Sequence, residues 1–267
     1  MNSERLTTKD DLVSAFNTLG VSEGIEVMVH SSMSSLGYVV NGALDVIDAL
    51  LEAVGPEGTL LMPAHTGQLT DPADWKDPEL SPAWVDSVRR NMKPYDPRLT
   101  PVRNRGLVAQ TFLSYPGVLR SSHPLNSIAA KGKYAFEYIE KHHFDESEGP
   151  NSPCGVLYDR NGSVLLLGVS LASCTALHLA EFLADVPHLY QSSPSVLKVD
   201  EAGFKGFFRM KRYPGSSQNF VNLLEEAKRE KIIYEVEFGS ATLLFFRIRP
   251  IVDLLVGKLQ EDPKYLS

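Results

Sequence analysis

IEVMVHSSMSSLGYVVNGALDVIDALLEAVGPEGTLLMP, residues 25–63, is the stretch whose pattern decides the fold. Ile25 to His30 reads as a strand, and a loop of small residues follows. A helix from about Ala43 to Ala53 then stops at Gly55-Pro56, and Thr59 to Pro63 is a second, buried strand. Strand, loop, helix, strand is a βαβ unit, which predicts parallel strands and a right-handed crossover. Upstream, Thr8 to Leu19 reads as an amphipathic helix with Leu12, Ala15, Phe16 and Leu19 on one face and Gly20 as its C-cap. Downstream, residues 64 to 105 are rich in Pro, Asp and Trp, and a structureless stretch of that length predicts a functional loop or lid. Helices are expected over Gly106 to Tyr115 and Tyr134 to His142. A second strand and helix follow at Ser163 to Val169 and Thr175 to Ala184. Beyond Pro187 the pattern predicts strands at Val196 to Val199, Phe207 to Arg212 and Thr242 to Arg247, with helices at Phe220 to Lys231 and Ile251 to Gln260. This is an α/β chain of one domain over 1–267, with a core at 1–186 and a C-terminal α+β lobe at 187–267 sharing that core.

With 43% hydrophobic and 22% charged residues, the 267-residue chain has ordinary globular composition. A net charge of −7 argues against nucleic acid, which needs a dense Lys/Arg face. The N-terminus has no apolar core of signal-peptide length, and no apolar run approaches the ~18 residues of a membrane span, so a cytoplasmic protein away from the membrane is expected. Cys154 and Cys174 are too few for a disulfide framework and read as reduced thiols. No histidine pair has metal-ligand spacing, and no metal is expected.

Three segments carry candidate chemistry. The first is GVSLASCTALHLAE, Gly168 to Glu181, where a buried strand enters a small-residue turn and His178 and Glu181 follow one helical turn apart. At that spacing both side chains share a helix face, so Glu181 can fix the tautomer of His178 and stabilise the imidazolium formed when it removes a proton. A capped helix with one surface ion pair has the same sequence. The second is His30, Ser31, Ser32, Met33, Ser34, Ser35, Leu36 and Gly37, directly after the first strand. Its hydroxyls and backbone amides suit an anion nest for a phosphate or pyrophosphate. It lacks the glycines and lysine of a Walker loop, lacks GxGxxG, and is equally compatible with a plain turn. The third is Arg120-Ser121-Ser122-His123-Pro124, which could hold a phosphate. A salt bridge for Arg120 and a structural role for His123 remain the alternatives.

Taken together, these segments resemble the aminoglycoside 3-N-acetyltransferase family. The likeness rests on VHSSMSSLG at Val29 to Gly37, NGALDVIDAL and GPEGTLLMP within Asn41 to Pro63, and DPADW at Asp71 to Trp75. It continues through YPGVLRSSHPLNSIAAKG at Tyr115 to Gly132, SPCGVLYDRNGSVLLLGV at Ser152 to Val169, and TALHLAE at Thr175 to Glu181. These lie in the expected order over most of residues 10 to 190. The resemblance implies a three-layer α/β/α fold with a central mixed, largely parallel sheet. It also implies acetyl-coenzyme A as cosubstrate, a small-molecule amine such as an aminoglycoside as acceptor, and direct transfer without an acyl-enzyme. By the same resemblance His178 is the catalytic histidine and Glu181 its partner carboxylate. The loop from His30 to Gly37 receives the coenzyme, with Arg120, His123 and Thr100 to Val108 nearby. The Thr175 hydroxyl, or loop amides, would meet the oxyanion. The oligomeric state is left open, a homodimer included.

Departures from the family pattern matter as well. Ala172 stands where members often carry aspartate, Gln68 where an acidic residue is common, and Arg105 where many carry methionine. Losing two carboxylates predicts weak or narrow activity on polycationic acceptors. Asp71, Asp74, Asp77, Glu79, Glu146 and Glu148 remain as candidate amine-binding groups. A hydrolase working through His178 and Glu181, and a coenzyme A-binding protein without activity, are the rival readings.

Overall fold

The computed structural model describes residues 6–76, 79–191 and 193–267. In chain order the elements are β1 (Leu6–Thr7), α1 (Lys9–Thr18), β2 (Glu26–Ser31), β3 (Tyr38–Val39), α2 (Ala43–Val54) and β4 (Thr59–Pro63). Then come α3 (Pro82–Asn91), α4 (Gly106–Leu113), β5 (Leu119–Arg120), β6 (Ile128–Gly132), α5 (Ala135–Glu140), α6 (Pro153–Asp159) and β7 (Ser163–Leu167). The remainder is α7 (Leu179–Leu183), β8 (Ser195–Val199), β9 (Lys205–Arg209), α8 (Leu224–Arg229), β10 (Ile233–Phe238), β11 (Ala241–Arg247) and α9 (Ile248–Glu261).

Seven strands form the central sheet in the order β10-β11-β7-β2-β4-β6-β5. Strands β7, β2 and β4 run parallel at its centre, while the pairs on either side are antiparallel. The sheet is therefore mixed, and its parallel part is smaller than "largely parallel" predicts. Strand side chains alternate between the two faces. Val27, Val29, Leu60, Met62, Leu165, Leu167, Leu243 and Phe245 point into a core packed with α1, α2 and α4. Met28, Leu61, Val164, Leu166, Leu244 and Phe246 point the other way, into a second core with α5 to α9. Two buried faces explain why the central strands read as unbroken apolar runs. Because β10, β11 and α9 complete this sheet and the second core, residues beyond 187 share the core with the rest.

Helix α1 starts where the sequence suggests, under a capping box in which the Thr8 side chain accepts from Asp11 N and Asp11 accepts from Thr8 N. The segment from 64 to 105 differs from the expected structureless loop, since it contains α3. That helix starts on Pro82 and buries no residue fully. It is tied down by a fork from Arg89 to both oxygens of Asp71, at 2.9 Å each. Asp71 N also donates to Ser195 O at 2.8 Å, fastening the segment to the β8–β9 hairpin. Asp77, one of the candidate carboxylates, lies outside the described residues. No helix among the described residues is long and apolar enough to cross a membrane. Nor does any group of three or more His, Cys, Asp or Glu among them form a metal site.

Candidate active site

The turn after β7 and the turn after β2 are locked together. Gly168 adopts φ +65°, and a Cβ there would lie 2.5 Å from the Ser35 Cβ, so both conformation and space require glycine. Ser32 N donates to Leu167 O at 2.9 Å, and Ser35 Oγ donates to Gly168 O at 3.2 Å. From there the chain passes through short 3₁₀ turns at Leu171–Ser173 and Thr175–His178 before α7 begins. The junction of the tighter turn with the α-helix sets residues 178 and 181 side by side.

Glu181 is fully buried and its carboxylate has three donors. His178 Nδ1–H donates to Oε2 at 2.5 Å, and His188 Nε2–H donates to Oε1 at 2.6 Å. The backbone N–H of Gly215 meets the same Oε1 at 2.8 Å. Burial by itself would raise the Glu181 carboxyl, but the adjacent His178 charge and these donors outweigh it and hold the group at about 2. For His178 burial pulls downward, and the charge and hydrogen bond of Glu181 reverse this and raise it above 6.5. With Nδ1 committed to Glu181, Nε2 is the imidazole's free basic position. The Phe220 ring packs edgewise against the imidazole with centroids 4.9 Å apart, fixing its plane.

His178 opens onto a cavity of about 110 Å³ walled by His65, Arg105, Asn126, Glu148, Ala172 and Thr175, among others. Glu148 is buried there, bonded by Asn126 Nδ2 at 2.7 Å and by the Ser147 hydroxyl. Burial raises its carboxyl more than the His178 charge and those two donors lower it. A second cavity of about 190 Å³, lined by Val29, His30, Ser31, Met62, Asn104 and Gly106 among others, shares Arg105 and Ser173 with the first. A third, about 460 Å³, shares His65, Arg105, Asn126 and Tyr213 with the first and extends to Asp74, Trp75 and Lys76. Arg105 thus stands where all three meet. Two buried imidazoles face these spaces with Nε2 lacking any hydrogen-bond partner, namely His30 and His65. Burial, aided by the Arg105 charge, pushes His30 down to about 3 and His65 well below 6.5, so both are neutral.

The structure gathers some of the sequence-selected residues and disperses others. His178, Glu181 and Thr175 converge on the first cavity, and His30 and Ser31 line the second. Within the rest of that loop, Ser32, Ser34 and Ser35 bond to one another at 3.0 Å. Met33 and Leu36 pack into the core, and Gly37 turns the chain at φ +77°. Arg120 is buried, and its guanidinium donates from all three nitrogens, to Ser127 Oγ, Thr100 O and Ala64 O, an arrangement that serves the chain and not a phosphate. His123 is likewise buried, its Nδ1 accepting from the N–H groups of Leu125 and Asn126 and its Nε2 meeting Phe144 O at 3.3 Å. Both serve the fold around β5 and β6. Ala172 does line the cavity onto which His178 opens, whereas Gln68 donates to Pro101 O at 2.7 Å. Cys154 and Cys174 are buried, and burial drives both thiols upward, Cys174 to about 12, which disfavours the thiolate form. Residues the sequence did not single out are His65, Asn126, His188 and Tyr213. His65, Asn126 and Tyr213 come from separate segments, so no local spacing reveals them, whereas His188 lies seven residues beyond Glu181 in the next short turn.

Comparison with known proteins gives a consistent result. Residues 28–260 match the family model described as aminoglycoside 3-N-acetyltransferase. The chain is 34% identical to the SPbeta prophage-derived aminoglycoside N(3')-acetyltransferase-like protein YokD of Bacillus subtilis, over 92% of this chain and 90% of that protein. The crystal structure of YokD superposes with a TM-score of 0.89 over 98% of this chain and 96% of YokD, at 31% identity. Aminoglycoside N(3)-acetyltransferase VIII of Streptomyces fradiae is 41% identical over 67% of this chain, a match spanning 62% of that enzyme. A solved structure of AAC-IIIb binary with CoASH gives a TM-score of 0.79 at 26% identity, covering 96% of this chain and 97% of that one.

Proposed function

This chain belongs to the aminoglycoside 3-N-acetyltransferase family, and on that premise we propose that it transfers an acetyl group from acetyl-coenzyme A directly to an amine of an aminoglycoside or a related acceptor, with His178 as general base. The observation that carries this reading is the His178–Glu181 pair, 2.5 Å apart, opening onto a cavity that shares two wall residues with the cleft beside β2. Acetyl-coenzyme A supplies an activated thioester. Its arm fits the cleft of Val29, Met62, Pro63 and Ala109, where the unpartnered His30 Nε2 is offered among apolar walls to an amide of the pantetheine chain. Ser31 lines that cleft, and its hydroxyl, with those of Ser32 and Ser34 next to it in the loop, suits the diphosphate.

His178 Nε2 takes the proton that the amine loses as its nitrogen bonds to the acetyl carbon. The carbon–sulfur bond breaks, and His178 returns the proton to the departing thiolate. Glu181 holds the ring in the required tautomer and stabilises the imidazolium between those two events, as its strongly depressed carboxyl requires. The hydroxyl of Thr175, on the wall of the same cavity, donates to the carbonyl oxygen as negative charge develops there.

Thiol release from acetyl-coenzyme A across a panel of aminoglycosides and simple amines tests the reading. Amine-dependent release with an acetylated product supports it. Release without any amine would mean a hydrolase, and coenzyme binding without release a binding protein.

A further inference from the structure

The largest of the three cavities carries a charge pattern opposite to that of the chain as a whole. Although the protein has a net charge of −7, the described lining of this cavity includes Lys76, Arg103 and Arg105 against the single carboxylate of Asp74. Arg103 lies over the Trp75 ring, 5.7 Å from its centroid. Arg105, at the N-terminus of α4, makes no hydrogen bond or ion pair among the described residues; Glu148 and Tyr213 reach it only through space. Beside it His65, 7% exposed, lines the same space, and its buried Nε2 has no hydrogen-bond partner. Asn126, also on the wall, spends its amide N–H groups on Glu148 and Ser147.

A guanidinium that no carboxylate among the described residues hydrogen-bonds and a neutral imidazole without a hydrogen-bond partner on one wall form a receptor for an oxyanion, the guanidinium supplying charge and the imidazole a hydrogen bond. The cleft proposed for the coenzyme shares Asn104 and Arg105 with this cavity and has polar groups of its own in His30, Ser31 and Ser173. A substrate bearing several ammonium groups gains nothing from this wall and is repelled by it. We therefore propose that the large cavity is an anion-selecting acceptor site, in which Arg105 and His65 bind a phosphate, phosphonate or carboxylate carried by the same molecule whose amine is acetylated at His178. This rests on the acetyltransferase reading for the amine, and names the chemical class of its acceptor.

The matched pair glucosamine and glucosamine 6-phosphate tests it, since the two differ only in the anion. Calorimetric titration of the full-length protein saturated with coenzyme A should show glucosamine 6-phosphate binding ~10–100-fold tighter than glucosamine, the range for one or two hydrogen bonds to a charged group. Arg105→Met should erase most of that ratio and Arg105→Lys should keep part of it, with melting curves confirming that both variants fold. The ratio of kcat/KM for acetylation of the two amines should follow the binding ratio. Equal binding of the two sugars by the wild-type protein would overturn the proposal. So would glucosamine 6-phosphate binding that coenzyme A abolishes, because the anion would then be occupying a coenzyme phosphate position. Tighter binding of neomycin than of glucosamine 6-phosphate would overturn it as well. These binding results stand whether or not acetyl transfer is detected, so failure of the anion site and failure of the acetyltransferase reading remain distinct.

Discussion

His188 Nε2 lies 2.6 Å from Glu181 Oε1, on the carboxylate oxygen opposite the one that holds His178. The carboxylate is therefore clamped between two imidazoles, and rotating it to suit one would break the other. His188→Ala should lower kcat about tenfold while leaving the KM for acetyl-coenzyme A close to wild type, because Glu181 keeps Gly215 and His178 but loses one point of fixation. A shifted pH profile with this loss marks His188 as a positioning residue. Unchanged kcat in a folded variant would assign it to the fold alone.

The base itself gives the larger effect. His178→Ala should reduce kcat by ~10²–10⁴-fold with coenzyme binding retained, measured by thiol release and calorimetry. Activity within a few-fold of wild type would remove His178 from the mechanism.

Glu181 raises the His178 pKa above 6.5, and only the neutral imidazole accepts a proton. Activity should accordingly rise with pH through a midpoint above 6.5. Glu181→Gln removes the charge that stabilises the imidazolium, so the midpoint should move to lower pH while the maximum rate falls. A midpoint that stays put or moves upward in Glu181→Gln would contradict the pairing. The carboxyl also links to stability with the opposite sense. Its folded pKa is depressed to about 2, so its contribution is complete above the ordinary value of 4.5 and drains away as pH falls toward 2.

Arg120 donates to three oxygens of the chain from a buried position, so Arg120→Ala should act on stability. Leaving Ala64 O, Ser127 Oγ and Thr100 O without it should cost about 3 kcal/mol in denaturant unfolding. Coenzyme affinity per folded molecule should stay within a few-fold of wild type. A large loss of affinity with little loss of stability would return Arg120 to the phosphate role that its sequence context suggests.

The two positions where carboxylates are common in relatives should separate. Ala172 lines the cavity with His178 and Arg105, so Ala172→Asp should supply a partner for that guanidinium and improve kcat/KM on cationic amines about tenfold. Gln68→Asp should bring no such gain, because the Gln68 amide holds Pro101 O and the shorter side chain releases it. Steady-state kinetics on one polycationic acceptor compares them directly.

The contact between His178 and Glu181 was legible because it is local: three residues of spacing on a turn of helix suffice to place them side by side. The central strands were legible for the same reason, since an apolar run such as Ser163 to Leu167 signals burial on both faces. The strand Ile233–Phe238 escaped because Tyr234, Glu235 and Glu237 face outward and dilute its apolar signal at the sheet edge. Arg120 and His123 illustrate the limit differently. Arginine and histidine among serines suit a phosphate or a set of backbone carbonyls equally well, and only the tertiary placement of Ala64, Thr100 and Phe144 separates the two. His65 belongs to the site through folding alone.

Strand β7, which delivers the catalytic turn, is flanked by β2 from near the start of the chain and by β11 from near its end, so that Ser163 faces both Val27 and Arg247. Contacts this distant in sequence must form across long loops, which slows folding. During synthesis β7 emerges well before its second neighbour exists, and until Ala241 to Arg247 has been made, the apolar run from Val164 to Leu167 presents an unpaired edge. A chain shortened before Ala241 is therefore expected to accumulate as aggregate in the pellet, and a nascent chain stalled there would be a substrate for chaperones.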